Sequence, residues 1–184
     1  MKKLAQCLNF AICFMIVKIF MDILNRSLIS FKILDLKYRN VGLNISAPES
    51  ISFEAYRVLS FITAIPLVYL LFQLNTFRKV AKNLERNSVF DTKSGSSLNS
   101  VANGLFYFIL SAGIIKFFLE GYCQYIISEP NQRLLVRLGE SMGFGIIQTL
   151  IYISPIAVVA IFVKIIAILV SEGALIKSEN DLTI

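Results

Sequence analysis

Hydrophobic stretches about as long as a lipid bilayer is thick recur along this chain. The longest runs from Met142 to Val170, with Pro155 near its middle and Lys164 as its one charged residue. As a helix, this stretch would be about 43 Å long, against a hydrocarbon core of about 30 Å. We therefore predict a membrane-spanning helix that tilts, bends at the proline or leaves the bilayer at one end.

Three earlier stretches complete a set of four predicted spans, at residues 4–24, 55–74, 101–119 and 146–170. The first follows two lysines, as a signal peptide would, but no small-x-small cleavage pattern follows and the apolar pattern continues to Leu24, so we expect it to be retained. Between the first two spans, side chains alternate from Phe31 to Tyr38. This alternation predicts one or two short strands in an extracytoplasmic loop. The expected fold is an all-α membrane protein with four transmembrane helices and this short loop.

The connection between the second and third spans, residues 75–100, is the most basic part of the chain. Apolar residues recur there at helical spacing, so residues 76–85 are predicted to form an amphipathic helix. Its charged face carries Arg78, Lys79, Lys82 and Arg86. Two roles stay open. The helix could lie on anionic lipid, at about 1 kcal/mol per cation, or it could dock a cytoplasmic protein.

The distribution of basic residues predicts the orientation of the spans. With four spans, both termini, the basic connection and the tail at residues 171–184 share one side, which carries eight basic residues. The other side carries six, or seven with Arg57. The positive-inside rule then places both termini in the cytoplasm.

Composition agrees with a membrane protein. The chain is 56% hydrophobic and 16% charged, whereas soluble domains are about 45–50% apolar and about 25% charged. Its net charge of +6 comes from basic residues scattered between apolar runs, which argues against direct binding to nucleic acid. Without histidine, and with three cysteines that form no C-x-x-C motif, the sequence predicts no metal site, no cofactor and no enzymatic activity.

Several charged residues fall inside or at the ends of the predicted spans. Lys18 and Asp22 are four residues apart, as are Lys116 and Glu120, and this spacing puts each pair on one helical face. Together with Arg57 they could form one polar layer that binds an ion or a substrate. The alternative is structural, with the charges near the headgroups and the basic side chains extending to water.

Lys164 is a further candidate because its surroundings are otherwise apolar. It shares a helical face with small residues, Ala157, Ala160, Ala167 and Ser171. Such a face allows another helix to approach closely, so we expect it to pack inward, with the lysine reaching a carbonyl or an acid. A purely structural or snorkelling role is the alternative.

Two short motifs give the chain a resemblance to a known family. They are the segment Asn87-Ser88-Val89-Phe90-Asp91 followed by Leu98, and the ending Ser178-Glu179-Asn180-Asp181-Leu182-Thr183-Ile184. With the four-span layout, they resemble the bacterial integral-membrane proteins grouped as domain of unknown function 2975. Two departures are Asn87, where the family commonly has glycine, and Lys93-Ser94, where an acidic residue commonly follows the phenylalanine. The resemblance implies no activity. It does imply a helix–turn–helix regulator as partner, because members are often encoded beside one.

These observations favour a non-enzymatic protein of the bacterial inner membrane that senses a membrane or envelope condition and acts through its cytoplasmic face, formed by the basic connection and the acidic tail. The alternative is a small transporter or permeability factor that uses the charged residues of the spans. Since four spans are few for a transporter, that alternative would require a homo-oligomer, and no inverted repeat is visible in the sequence.

Overall fold

The computed structural model describes residues 2–31, 40–86, 92–128 and 132–182. It contains four helices: α1 (Lys2–Ser30), α2 (Phe53–Arg86), α3 (Thr92–Ile127) and α4 (Leu134–Leu182). Each has a segment long and apolar enough to cross a bilayer. The predicted all-α fold with four transmembrane helices is therefore confirmed.

The helices extend beyond the predicted spans. An apolar run marks only the part of a helix that lipid covers, whereas the helix itself can continue into polar sequence. α4 has 49 residues and continues through Pro155, which gives a length of about 73 Å. Three segments outside the predicted spans belong to the long helices. Arg26, just after the first predicted span, lies in α1, the basic segment 76–85 is the end of α2 and not a separate helix, and residues 134–138, before the fourth predicted span, are the start of α4.

Large apolar side chains cover the outside of all four helices. Examples from each helix are Phe14, Phe72, Phe118 and Phe162, each between 63% and 68% exposed. A water-soluble protein would bury most such side chains, and an outward apolar surface of this extent suits contact with lipid.

A short hairpin follows α1. Strands β1 (Asn40–Gly42) and β2 (Ile45–Ser46) pair antiparallel, with an irregularity between Asn40 and Gly42. The two turn residues, Leu43 and Asn44, both have positive φ, as a type I′ turn requires. The alternating residues that predicted strands are mainly residues 32–39, which lie outside the described residues. The observed strands begin directly after them in the chain, at Asn40.

The chain divides into two compact units. Unit 1 comprises Met1–Ile19, Leu70–Tyr107 and Ile156–Ile184, and unit 2 comprises Phe20–Tyr69 and Phe108–Pro155. A cluster in unit 1 is formed by Ile12, Leu74 and Ala81, with Ile16, Ile19, Leu70 and Phe77 against it. Unit 2 contains the hairpin, whose Val41, Leu43 and Ile45 are buried.

Candidate functional site

Polar side chains from the helices of unit 2 hold the hairpin by its backbone. From α1, Arg26 is 4% exposed, and its Nη1 donates to the Val41 carbonyl at 3.1 Å. Its Nη2 pairs with the Asp22 carboxylate at 2.7 Å. Arg26 therefore carries its own counterion into the contact, which lowers the cost of burying the charge.

Helix α2 contributes two hydroxyl groups to the same strand. The Thr63 hydroxyl, which accepts a bond from Arg26 Nη1 at 3.3 Å, donates to the Val41 carbonyl. Tyr56, fully buried, donates to the Asn40 carbonyl at 3.4 Å. The carbonyls of Asn40 and Val41 in β1 thus accept hydrogen bonds from side chains of α1 and α2.

Helix α3 binds the turn of the hairpin through Lys116. Its Nζ donates to the carbonyls of Leu43 at 3.0 Å and Asn44 at 3.3 Å, and to Glu120 Oε1 at 2.7 Å. The side chains of Lys116 and Glu120 are 2% and 9% exposed. Because a lysine ammonium has three donors, these partners use all of them. We refer to Arg26, Thr63, Lys116 and Glu120 as the hairpin clamp.

The clamp holds a turn with an unfavourable backbone. Leu43 has φ of 51°, which for a residue with a Cβ costs about 1–2 kcal/mol. Gly42, at φ of 109°, lies so close to Arg26 that an added Cβ would clash with Nη1. Burial of the Leu43 side chain and the bond from Lys116 offset the strain, and such strain tends to occur at functional positions.

The predicted polar layer is rearranged in this structure. Lys116 and Glu120 do pair, and Lys116 is buried and does not extend to water. Asp22 binds Arg26 and not Lys18. Lys18 is exposed and belongs to unit 1, and Arg57 pairs with Glu54 at 3.5 Å. Two of the four predicted unit 2 residues, Lys116 and Glu120, belong to the clamp itself, and Asp22 joins it through Arg26.

Arg26 was missed in the sequence because the apolar run ends at Leu24 and the arginine was assigned to the loop. A signal was present. Asp22 and Arg26 are four apart with the acid first, which is the more favourable order for a helical ion pair, whereas Lys18 and Asp22 have the reverse order. The contribution of Thr63 depends on the path of the hairpin and carries no comparable sequence signal.

In unit 1, Lys164 is half-buried, and its partners are the side-chain amides of two asparagines. Its Nζ donates to Asn99 Oδ1 at 2.5 Å and to Asn103 Oδ1 at 3.0 Å. The two asparagines are four residues apart on α3, on one helical face. The sequence gives no sign that either asparagine contacts Lys164, because an asparagine near the polar start of a helix needs no ionic partner.

The basic end of α2, also in unit 1, has the predicted amphipathic character. Val80 and Ala81 are buried, and Lys79 and Lys82 are exposed. Arg78 is half-buried and its Nε donates to Asn9 Oδ1 at 3.2 Å. The side chain of Arg86 is not among those that the structure describes. Lys79 and Lys82 are therefore exposed on a helix whose apolar side chains are packed and buried.

In the described parts of the chain, no three His, Cys, Asp or Glu side chains come together as a possible metal site.

The four apolar helices, the lipid-suited surface and the fully paired clamp define a multi-pass α-helical membrane protein. The chain belongs to the family described as "Protein of unknown function (DUF2975)", whose model matches residues 33–184. No curated protein and no solved structure gives a significant match.

Proposed function

We propose that this protein is a non-enzymatic sensor of the bacterial inner membrane, with both termini in the cytoplasm, that signals to a cytoplasmic helix–turn–helix regulator. The observation that carries the proposal is the continuity of α2. This single helix contacts the hairpin through Tyr56 and Thr63 and continues without a break to Lys79 and Lys82. α2 therefore carries both the contacts with the hairpin and the exposed lysines, with Pro66 between them in the chain.

The length of α2 suits such a role. Its candidate span, Phe53–Lys82, has 30 residues, more than the roughly 20 that a transmembrane helix requires. Under the positive-inside orientation, the hairpin faces the envelope and the exposed lysines face the cytoplasm. A regulator with an acidic surface would find complementary charge there.

The transporter alternative has less support from the same contacts. All three donors of Lys116 are used by the hairpin and Glu120, so this lysine has none left for a cargo. The cavity beside Arg26 has about 170 Å³, below the roughly 300 Å³ at which ligand pockets begin.

The proposal is tested by capture of the regulator on the full-length protein in lipid nanodiscs. We expect the double variant K79Q/K82Q to weaken capture about three- to tenfold, because each exposed charge contributes up to about 1 kcal/mol. Added salt should weaken capture by the unaltered protein and have less effect on the variant.

The matched control is K18Q/R133Q, which removes the same charge from two other exposed side chains. It should capture the regulator as the unaltered protein does. Equal capture by K79Q/K82Q would contradict the proposal. The remaining role for the basic end of α2 would then be attraction to anionic lipid.

A further inference from the structure

A groove in unit 1, between α3 and α4, has the chemistry of a binding site that the proposed function does not use. Its volume is about 480 Å³, within the range of ligand pockets. The polar residues that line it are Ser96, Asn99, Lys164, Ser171 and Glu172. Apolar lining comes from Ala167, Ile168 and Leu175. The groove thus combines charge of both signs with an apolar wall.

One end of the groove offers hydrogen-bond donors. Lys164 has three N–H donors, of which Asn99 and Asn103 accept two, and among the described residues no third acceptor lies within hydrogen-bond distance. Because the amide oxygens of both asparagines face Nζ, their NH₂ groups point away from it. A cation with a remaining donor beside the Asn99 amide suits a phosphate group.

The other end of the groove offers acceptors. The Ser171 hydroxyl donates to the Ala167 carbonyl at 2.9 Å, so its oxygen is left as an acceptor. Glu172 beside it is exposed and lies two helical turns from Lys164, about 12 Å along the axis. A carboxylate and a hydroxyl oxygen suit an ammonium group and would repel a second anion.

From this arrangement we propose that the groove binds one phospholipid with a primary-amine headgroup. The phosphate lies at Lys164 and Asn99, the ammonium lies at Ser171 and Glu172, and the acyl chains leave the phosphate on the side away from the ammonium, toward the middle of the span. A lipid is favoured over a soluble phosphoamine because the apolar lining would otherwise face water, and because Lys164 stands in a span that lipid surrounds. This proposal does not depend on the sensor function.

Native mass spectrometry of the full chain in detergent tests the proposal. The protein is incubated separately with phosphatidylethanolamine, phosphatidylcholine and phosphatidylglycerol of the same acyl chains. We expect phosphatidylethanolamine to be retained about tenfold more strongly than phosphatidylcholine, whose methylated amine cannot donate a hydrogen bond to Glu172.

Two variants separate the two ends of the groove. K164M should lose retention of both zwitterionic lipids, whereas K18M, which removes an exposed lysine from another apolar helix, should not. E172Q changes an exposed side chain, so it should leave folding unaffected. It should keep phosphatidylcholine retention and lose the preference for phosphatidylethanolamine.

A soluble arm distinguishes the source of the phosphate. O-phosphoethanolamine and inorganic phosphate are added to the delipidated protein and followed by phosphorus NMR, and neither should bind. Binding of either one at Lys164 without a lipid would overturn the lipid assignment. Equal retention of lipid by K164M and the unaltered protein, or no preference among the three headgroups, would overturn the site itself.

Discussion

At the scale of single residues, Lys116 shows how a charge can be placed among apolar helices. Burying an ammonium costs several kcal/mol, and the cost is offset only where every donor has a partner. Here one carboxylate and two backbone carbonyls supply the three partners, and the Tyr152 ring centroid lies 5.3 Å away, within cation–π distance. The lysine is therefore a structural residue that fixes the hairpin to α3.

This role predicts unequal effects of removing one or both members of the pair. K116M leaves Glu120 buried without a counterion, so we expect a loss of about 3–5 kcal/mol in the free energy of unfolding. K116M/E120L removes both charges and should lose less, about 1–3 kcal/mol for the unpaired hairpin carbonyls. Unfolding by SDS in mixed micelles measures both, with K18M as the control for an exposed lysine. A single variant as stable as the double variant would contradict this account.

Part of this site could be predicted from the sequence. The spacing of Lys116 and Glu120 showed that they share a helical face, because helical periodicity is a local property. Their burial was not predictable, since it depends on a hairpin 72 or 73 residues away in the chain. For the same reason the pairing of Asp22 with Arg26 was visible as spacing, but the bond from Arg26 to Val41 was not.

At the scale of elements, the hairpin is the part of the fold least determined by its own sequence. It has three residues in one strand and two in the other, and an isolated hairpin is at best marginally stable in water. Contacts with α1, α2 and α3 supply what the strands lack. The helices, in contrast, were predictable from hydrophobic pattern, although their ends were not, because α2 and α4 continue as helices well past their apolar runs.

The tight turn gives a prediction for glycine. G42A would place a Cβ against Arg26 and put a side chain at positive φ, so it should destabilise the protein by about 1–3 kcal/mol. Thermal unfolding in detergent measures the change. The matched control is G139A, where nothing lies within 4 Å and alanine in a helix should be neutral or stabilise by up to about 1 kcal/mol. If both variants unfold alike, the close approach of Arg26 is not a constraint.

At the scale of the whole molecule, an even number of spans decides which parts can act on the same compartment. Four helices each have a segment that can cross the bilayer, and one crossing by each would put the amino terminus, the basic end of α2 and the end of α4 on the same side. The hydrophobic pattern of the sequence was sufficient to predict the four apolar helices, because a lipid bilayer requires a fixed length of apolar helix. The direction in which the chain crosses rests on charge counts that differ by only one or two residues.

Topology reporters test the direction. Alkaline phosphatase, which is active only outside the cytoplasm, should be inactive when fused after Ile184 and active when inserted after Glu49, an exposed residue beyond the hairpin. A fluorescent protein that folds only in the cytoplasm should give the opposite pattern. Activity of alkaline phosphatase at both positions would contradict a fold with an even number of spans.

The partners of Lys116 also set an order of assembly. Leu43 and Asn44 are synthesised first. Lys116, whose Nζ donates to their carbonyls, enters the membrane only with α3, 72 or 73 residues later. A third helix inserted before the hairpin has formed would bring an ammonium with unmet hydrogen bonds into lipid. Biogenesis of this protein is therefore expected to stall, and its chain to be degraded, wherever that earlier loop is deleted or replaced by a flexible linker.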